Sequence, residues 1–320
     1  MPRPRSAPDL YLLTKVSSLY YLRDQTQQEI ADRLRISRPT VSRLLQEAQQ
    51  QGIVQITVAP PRGLHTELES RLEERFGLQE AQVVALEPRQ ARDLLKRQLG
   101  ASAAGYLART VQRGDSIGLS WGTTLSALVD AMTPLPTDGV RVVQTLGGIG
   151  PPDAASYAGS LVRRLAQLLG ATPVLLPAPG VVPSAAVRDA LRGDQHVQAA
   201  LKQLDALDVV YVGIGALATN AALNDPASLP PGLLKELRRA GAIGDIALRF
   251  FDAAGESVRT SLDERLLGIT RDQLRRARRV VAVAGGLEKV DAIAAALATG
   301  VISVLFTDQS TAEALASRPK

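Results

Sequence analysis

Residues Gln27–Gln46 read QQEIADRLRISRPTVSRLLQ, and this stretch decides how the N-terminal part of the chain folds. Ile30, Leu34, Ile36, Val41 and Leu44 recur at spacings that bring them to one shared core between two short helices. Ala31 stands where the two helices approach too closely for a larger side chain. Just upstream, Thr26-Gln27-Gln28-Glu29 has the form of a capping box, in which threonine and glutamate satisfy each other's backbone N–H groups. Ser37 is placed to cap the second helix. Pro39 is tolerated in its first turn, where a backbone N–H has no helical partner to lose. The turn between the helices falls on Arg35, where glycine is preferred; a left-handed conformation there costs a non-glycine residue about 1 kcal/mol.

The pattern predicts a helix-turn-helix whose second helix, Ser37–Gln46, enters the major groove of double-stranded DNA. Arg38, Thr40, Ser42 and Arg43 are its candidate contacts, since arginine pairs with guanine and the hydroxyls reach phosphate or a thymine methyl. Thr26 and Gln27, at the start of the preceding helix, are further candidates. The alternative is an ordinary three-helix bundle with no nucleic-acid role. Charge favours DNA: residues 1–62 hold nine Lys/Arg against five acids, most of the chain's +5 net charge.

Working outward, residues 9–52 read as consecutive short helices, with Gly52 ending the third. Ile53–Val58 then alternates like a short strand, which makes the unit winged-helix-like. Ala59-Pro60-Pro61-Arg62-Gly63 is a linker, after which Leu64, Leu68, Leu72 and Phe76 recur every four residues in a charged helix that packs or dimerises. The expected organisation is therefore a DNA-binding domain over 1–58, a linker and connector helix over 59–80, and a second domain over 81–320.

From Ala81 the rhythm changes to short apolar runs alternating with helical segments: Ala81–Leu86, Ser116–Leu119, Val140–Thr145, Thr172–Leu176, Val209–Gly213, Val280–Val283 and Val301–Phe306. Most are β-branched and continuously apolar, as strands buried on both faces of a parallel sheet are. The second domain is thus expected to be α/β, doubly wound and mostly parallel. Several of its strand ends carry small-residue loops. Ser120-Trp121-Gly122-Thr123-Thr124 separates a strand from a helix, the geometry in which backbone N–H groups converge on an anion, and Ser120, Thr123 and Thr124 add hydroxyl donors. It lacks the G-K-[ST] of a Walker A loop, so ATP hydrolysis is not implied. Its alternative is a tight turn that packs the helix on the sheet.

Gly147-Gly148, Gly213-Ile214-Gly215 and Gly285-Gly286 also follow strands, where doubly wound sheets bind ligands. Lys289 is one of only six lysines against 31 arginines. A compact ammonium at a helix start suits a ligand phosphate and ill suits the helix dipole; its alternative is a solvated surface position. Asp245, in Gly244-Asp245-Ile246, either accepts hydrogen bonds from sugar hydroxyls or satisfies loop amides.

Composition removes several function classes. With no cysteine there is no disulfide, iron–sulfur cluster or thiolate zinc site, which fits a cytoplasmic protein. Two histidines, His65 and His196, leave little for a metal centre or a Ser-His triad, so no catalytic residue, metal or cofactor is assigned. Aromatic content of 3% argues against stacking platforms for single-stranded nucleic acid. The basic, proline-rich Met1–Pro8 lacks the apolar core of a signal peptide, and no apolar run reaches the ~18 residues of a membrane helix.

Taken in order, these pieces resemble the SorC family of bacterial sugar-responsive regulators. The matching stretches are the helix-turn-helix with Arg43-Leu44-Leu45 and Gly52-Ile53-Val54, then Gly118–Thr124, Gln144–Gly148, Gly244-Asp245-Ile246 with Phe250-Phe251-Asp252, Ala284-Gly285-Gly286 with Lys289, and the closing Gly300–Asp308. The resemblance implies an effector domain akin to sugar-phosphate isomerases, with phosphate held by Ser120–Thr124 and Lys289. It also implies homo-oligomers, dimers or tetramers, on palindromic operators. Two departures stand out. Ala247-Leu248-Arg249 follows Gly244-Asp245-Ile246 where smaller or glycine-containing residues are expected. No lysine lies between Lys96 and Lys202, so a Schiff-base anchor on the strand ending near Gly147 is not available.

Two functions follow. One is a transcriptional regulator whose operator affinity is set by a small phosphorylated sugar. The other is a sugar-phosphate isomerase-like enzyme with an accessory helical N-terminus. The enzyme would need a positioned acid and base, for which only Asp245 and Asp252 offer themselves.

Overall fold

The computed structural model describes residues 9–56, 63–85, 92–148, 152–217 and 232–319, with backbone alone over 152–157. The chain divides into two compact units, residues 1–60 and 61–320.

In the first unit, α1 (Leu10–Tyr21), α2 (Gln27–Leu34) and α3 (Arg38–Gln50) enclose a small core. Leu13, Val16, Leu19, Ile30, Ala31, Val41, Leu44, Leu45 and Ala48 are buried there, with Leu34 and Ile36 partly so. Thr26 and Glu29 form the reciprocal capping box at the start of α2, and Ser37 accepts the Thr40 N–H at the start of α3. Between them Arg35 adopts φ 52°, ψ 43°, the left-handed turn that a helix-turn-helix needs. The strand expected at Ile53–Val58 does not form over its described part, Ile53–Ile56; Thr57 and Val58 lie outside the described residues. Gly52, at φ 71°, turns the chain back so that the Val54 N–H bonds the Ala48 carbonyl at 3.1 Å. Val54 then packs on the helical core, so over Ile53–Ile56 the alternating pattern serves a helix end rather than a ladder.

The second unit is built on a seven-stranded sheet. Its strands are β1 (Glu80–Val84), β2 (Ser116–Leu119), β3 (Arg141–Gln144), β4 (Thr172–Val174), β5 (Val209–Val212), β9 (Arg279–Val283) and β10 (Val304–Asp308), in spatial order β1-β10-β9-β5-β2-β3-β4. Every pairing in it is parallel. A small antiparallel sheet of β6 (Gly215–Ala216), β7 (Gly244–Ile246) and β8 (Arg249–Phe251) stands beside it.

Helices cover both faces. One face carries α5 (Arg92–Thr110), α6 (Thr123–Ala131) and α7 (Pro152–Leu169), through Leu99, Leu107, Leu125, Leu128, Leu161 and Leu165. The other carries α4 (Thr66–Phe76), α9 (Gln195–Gln203), α11 (Arg271–Arg276), α12 (Val290–Ala298) and α13 (Gln309–Ser317), through residues such as Leu72, Leu274, Ile293 and Leu315. Shorter α8 (Ala185–Gly193) and α10 (Leu233–Arg239) complete the unit.

The connector helix packs rather than projects. In α4, Leu72 is fully buried and Leu68 and Phe76 lean on the same core, whereas Leu64 precedes the helix and is exposed. Its carboxylates also serve the sheet: Glu73 Oε1 accepts the Ala81 N–H and Glu69 Oε1 the Val83 N–H, each at 2.8 Å. β1 is one of the two edge strands, so these are ladder groups that no neighbouring strand satisfies. Arg75 ties α4 to the end of α13 by donating to the carbonyls of Ala316, Arg318 and Pro319.

Candidate effector pocket and DNA-binding face

β2 and β5 lie side by side at the middle of the sheet, and the chain proceeds outward from them in opposite directions, to β3 and β4 on one side and β9 and β10 on the other. Ligands of doubly wound sheets bind at such a switch point, outside the carboxyl ends of the strands. A cavity of about 300 Å³ opens there, lined by the segments after β2, β5 and β9. It contains Ser120, Gly122, Thr123, Thr124, Gly215, Asp245 and Lys289, seven of the nine positions read from the sequence.

Each of these is held by local structure. The Ser120 N–H donates to the Tyr211 carbonyl at 3.0 Å, which ties the loop after β2 to β5. Gly122, at φ 133°, starts α6, and no side chain caps that helix. Its first-turn N–H groups therefore lack partners within the helix and confer partial positive charge on this wall. Lys289 ends a 3-10 turn, Leu287–Lys289, and its Nζ donates to the Ile214 carbonyl at 3.1 Å, which directs the ammonium toward β5. Burial pushes that ammonium below the usual lysine range, Lys96 and Arg92 push the same way, and Glu288 and Asp245 oppose them. A bound dianion would reverse the cost of that burial.

Asp245 meets the second of its sequence alternatives, the satisfied loop amide, and also stands at the cavity. Its Oδ2 accepts the Leu248 N–H at 3.0 Å. That bond spans the β7–β8 turn, where Ala247 (φ 51°) and Leu248 (φ 60°) are both left-handed. A two-residue turn of this kind normally takes Asn or Gly. Here burial of Leu248 against Leu146 and Phe250 holds it instead, and Ala247 forms part of the cavity wall.

Gly147 and Gly148 do not line the cavity. Their N–H groups donate to the carbonyls of Leu267 (3.1 Å) and Ala178 (3.2 Å), and the Gly148 carbonyl accepts from Gly180 at 2.6 Å. A Cβ on Gly147 would overlap the Ala178 carbonyl and lie 2.6 Å from the Gly180 nitrogen, so glycine there admits a neighbouring backbone. The Gly286 amide is likewise committed, to Asp308 Oδ2 at 2.8 Å and Thr311 Oγ1 at 2.9 Å. Conversely, the cavity includes Arg92, Leu95 and Lys96 of α5, and Glu288, none of which the motif reading assigned. Arg92 pairs with Glu288 at 3.4 Å. Their signal in the sequence was faint: Arg92, Lys96 and Gly100 recur every four residues, a stripe that composition alone does not aim at a ligand.

In the first unit Thr26, Gln27 and Arg38 line one cleft with Tyr20, Tyr21 and Asp24. Ser42 and Arg43 are exposed on α3, and Thr40 is half-buried, its hydroxyl 2.8 Å from that of Ser37. The Thr26 hydroxyl donates to Glu29 at 2.9 Å, and the Thr26 backbone and side-chain bonds hold that carboxylate below its usual range.

The family described as "Putative sugar-binding domain" matches residues 62–317, and the MarR family matches residues 18–63. The chain is 36% identical over 308 residues to the deoxyribonucleoside regulator of Bacillus subtilis (strain 168), covering 95% of this chain and 96% of that one. It is 33% identical to the sorbitol operon regulator of Klebsiella pneumoniae, over 97% and 99% of the two chains. The crystal structure of that full-length regulator, SorC, superposes with a TM-score of 0.74 at 32% identity, over 97% of this chain and all of SorC (100%). This chain belongs to the SorC family.

Like its SorC-family relatives it is a DNA-binding transcriptional regulator with a sugar-binding domain, and not an enzyme. The carboxylate that would have partnered Asp245 in an isomerase is occupied locally: Asp252 Oδ1 accepts the N–H groups of Ala254 (2.9 Å) and Glu256 (3.0 Å). Among the described residues of this SorC-family chain, no helix is long and apolar enough to cross a membrane.

Proposed function

We propose that the sugar bound in the cavity is phosphorylated and that its binding changes the affinity of the first unit for operator DNA. The observation that carries this reading is the convergence of the Lys289 ammonium and the uncapped start of α6 on one cavity. In this reading Ser120, Gly122, Thr123, Thr124 and Lys289 hold the phosphate, Asp245 accepts from sugar hydroxyls, and Gly215 forms wall. Thr26, Gln27, Arg38, Thr40, Ser42 and Arg43 contact double-stranded operator DNA. The protein works in the cytoplasm as a homo-oligomer, a dimer or tetramer, and α4 carries a coupling of about 1–3 kcal/mol between the sites.

A thermal-shift screen against sugar phosphates and their unphosphorylated parents tests it, because a ligand of the native state raises the melting temperature. A phosphorylated sugar should shift the transition, and the shift should vanish in Lys289→Ala and Thr123→Ala. A shift produced equally by the unphosphorylated parent would refute the phosphate assignment.

A further inference from the structure

We infer that Lys96 of α5 is a second cationic contact for the bound anion and makes the cavity selective for a doubly charged phosphate monoester over a singly charged group of the same shape. This deepens the reading of the cavity as a phosphate site and rests on it. The placement follows from helix packing. Gly100 brings α5 against α6 so closely that a Cβ there would lie 2.5 Å from the Ala127 carbonyl carbon and 2.6 Å from the Leu128 nitrogen. Both helices return from the carboxyl end of one parallel strand to the start of another, so they run in the same direction. One turn back from the contact, toward the cavity, stand Lys96 on α5 and Thr123 on α6, and both line it.

The Lys96 ammonium is also available. Its ion pair is with Asp93 at 3.5 Å, one turn earlier on the same helix, and the two side chains are 38% and 78% exposed. A hydrated pair of this kind is worth little and is readily exchanged for a ligand. Arg92, by contrast, already faces Glu288 at 3.4 Å. Lys96 is near enough to Lys289 to act on its ammonium, which places two like charges around one space. Asp245 and Glu288 face the same space, and with Arg92 it keeps three cations to two carboxylates, so a doubly charged anion gains about twice the Coulomb attraction of a singly charged one of the same shape.

Methyl phosphate and methyl sulfate test this, because they share a shape but differ in charge at pH 8, well above the phosphate's second pKa of about 6. Titration calorimetry of the full-length protein should show methyl phosphate binding more tightly than methyl sulfate. Lys96→Met should weaken methyl phosphate about tenfold, change methyl sulfate far less, and leave the melting temperature of the free protein unchanged. Lys96→Arg should retain most of the preference. If Lys96→Met and Lys96→Gln, both folded, bind methyl phosphate like the native chain while Lys289→Met does not, the assignment of Lys96 is overturned and the phosphate reading stands. If neither anion binds the native protein saturably, the phosphate reading fails and the Lys96 assignment fails with it.

Discussion

Gly285→Ala should destabilise the sugar-binding unit in the absence of any ligand. The added methyl would overlap Asp308 Oδ2 and lie 3.0 Å from Leu99 Cδ1. Neither neighbour gives way freely. Asp308 is 5% exposed, and the same Oδ2 accepts the Gly286 N–H at 2.8 Å and the Thr311 hydroxyl at 2.6 Å. Leu99 is 1% exposed, in the core beneath α5. Turning the carboxylate aside sacrifices a buried charged hydrogen bond, about 1.5–3 kcal/mol. Overpacking the site costs about 1–3 kcal/mol more. At roughly 2–4 °C per kcal/mol for a unit of this size, the melting temperature should fall on the order of 10 °C. The assay is scanning calorimetry of the full chain, with Gly213→Ala as control, since a Cβ at Gly213 meets nothing within 4 Å. A Gly285→Ala protein melting within about 2 °C of that control would refute the close-packing argument.

Three further outcomes are expected. Arg43→Ala should weaken operator binding in a gel-shift titration and leave effector affinity intact; unchanged operator affinity would remove Arg43 from the DNA-contacting face. Arg35→Gly should relieve a left-handed residue, adding about 1 kcal/mol of stability to the DNA-binding unit in a denaturant titration. A loss of stability would mean the arginine side chain contributes there. Burial holds the Lys289 pKa below that of an unfolded lysine, so between the two values the unfolded chain binds more protons and stability rises with pH. An anion that restores the ammonium should bind more weakly as pH rises through the same window, and calorimetry showing tighter binding there would contradict this.

The strong local signals were legible in the sequence. Both caps of the helix-turn-helix, Thr26 and Ser37, follow from side chains that can reach only nearby backbone, and each of the seven apolar runs from Ala81 to Phe306 contains a strand of the parallel sheet. The three-stranded sheet was not legible: its strands are two or three residues long, too short for any periodicity to register. Gly147 and Gly148 misled because a glycine pair after a strand looks the same whether a phosphate or another backbone approaches it. Lys96 and Arg92 lay hidden for the opposite reason. Their relation to the cavity is created by the crossing of α5 on α6, which depends on contacts distant in sequence.

The clasp of Glu69 and Glu73 on β1 bears on where this protein can be cut. A fragment starting at the first residue of the sheet would keep every strand yet leave the Ala81 and Val83 N–H groups open along an edge with no cover. An uncovered edge of that kind recruits strands from other molecules. The helix that follows the DNA-binding unit in sequence thus also covers the N–H groups along that border of the sheet. A sensor fragment intended for crystals or ligand screens should begin ahead of Thr66, where α4 starts.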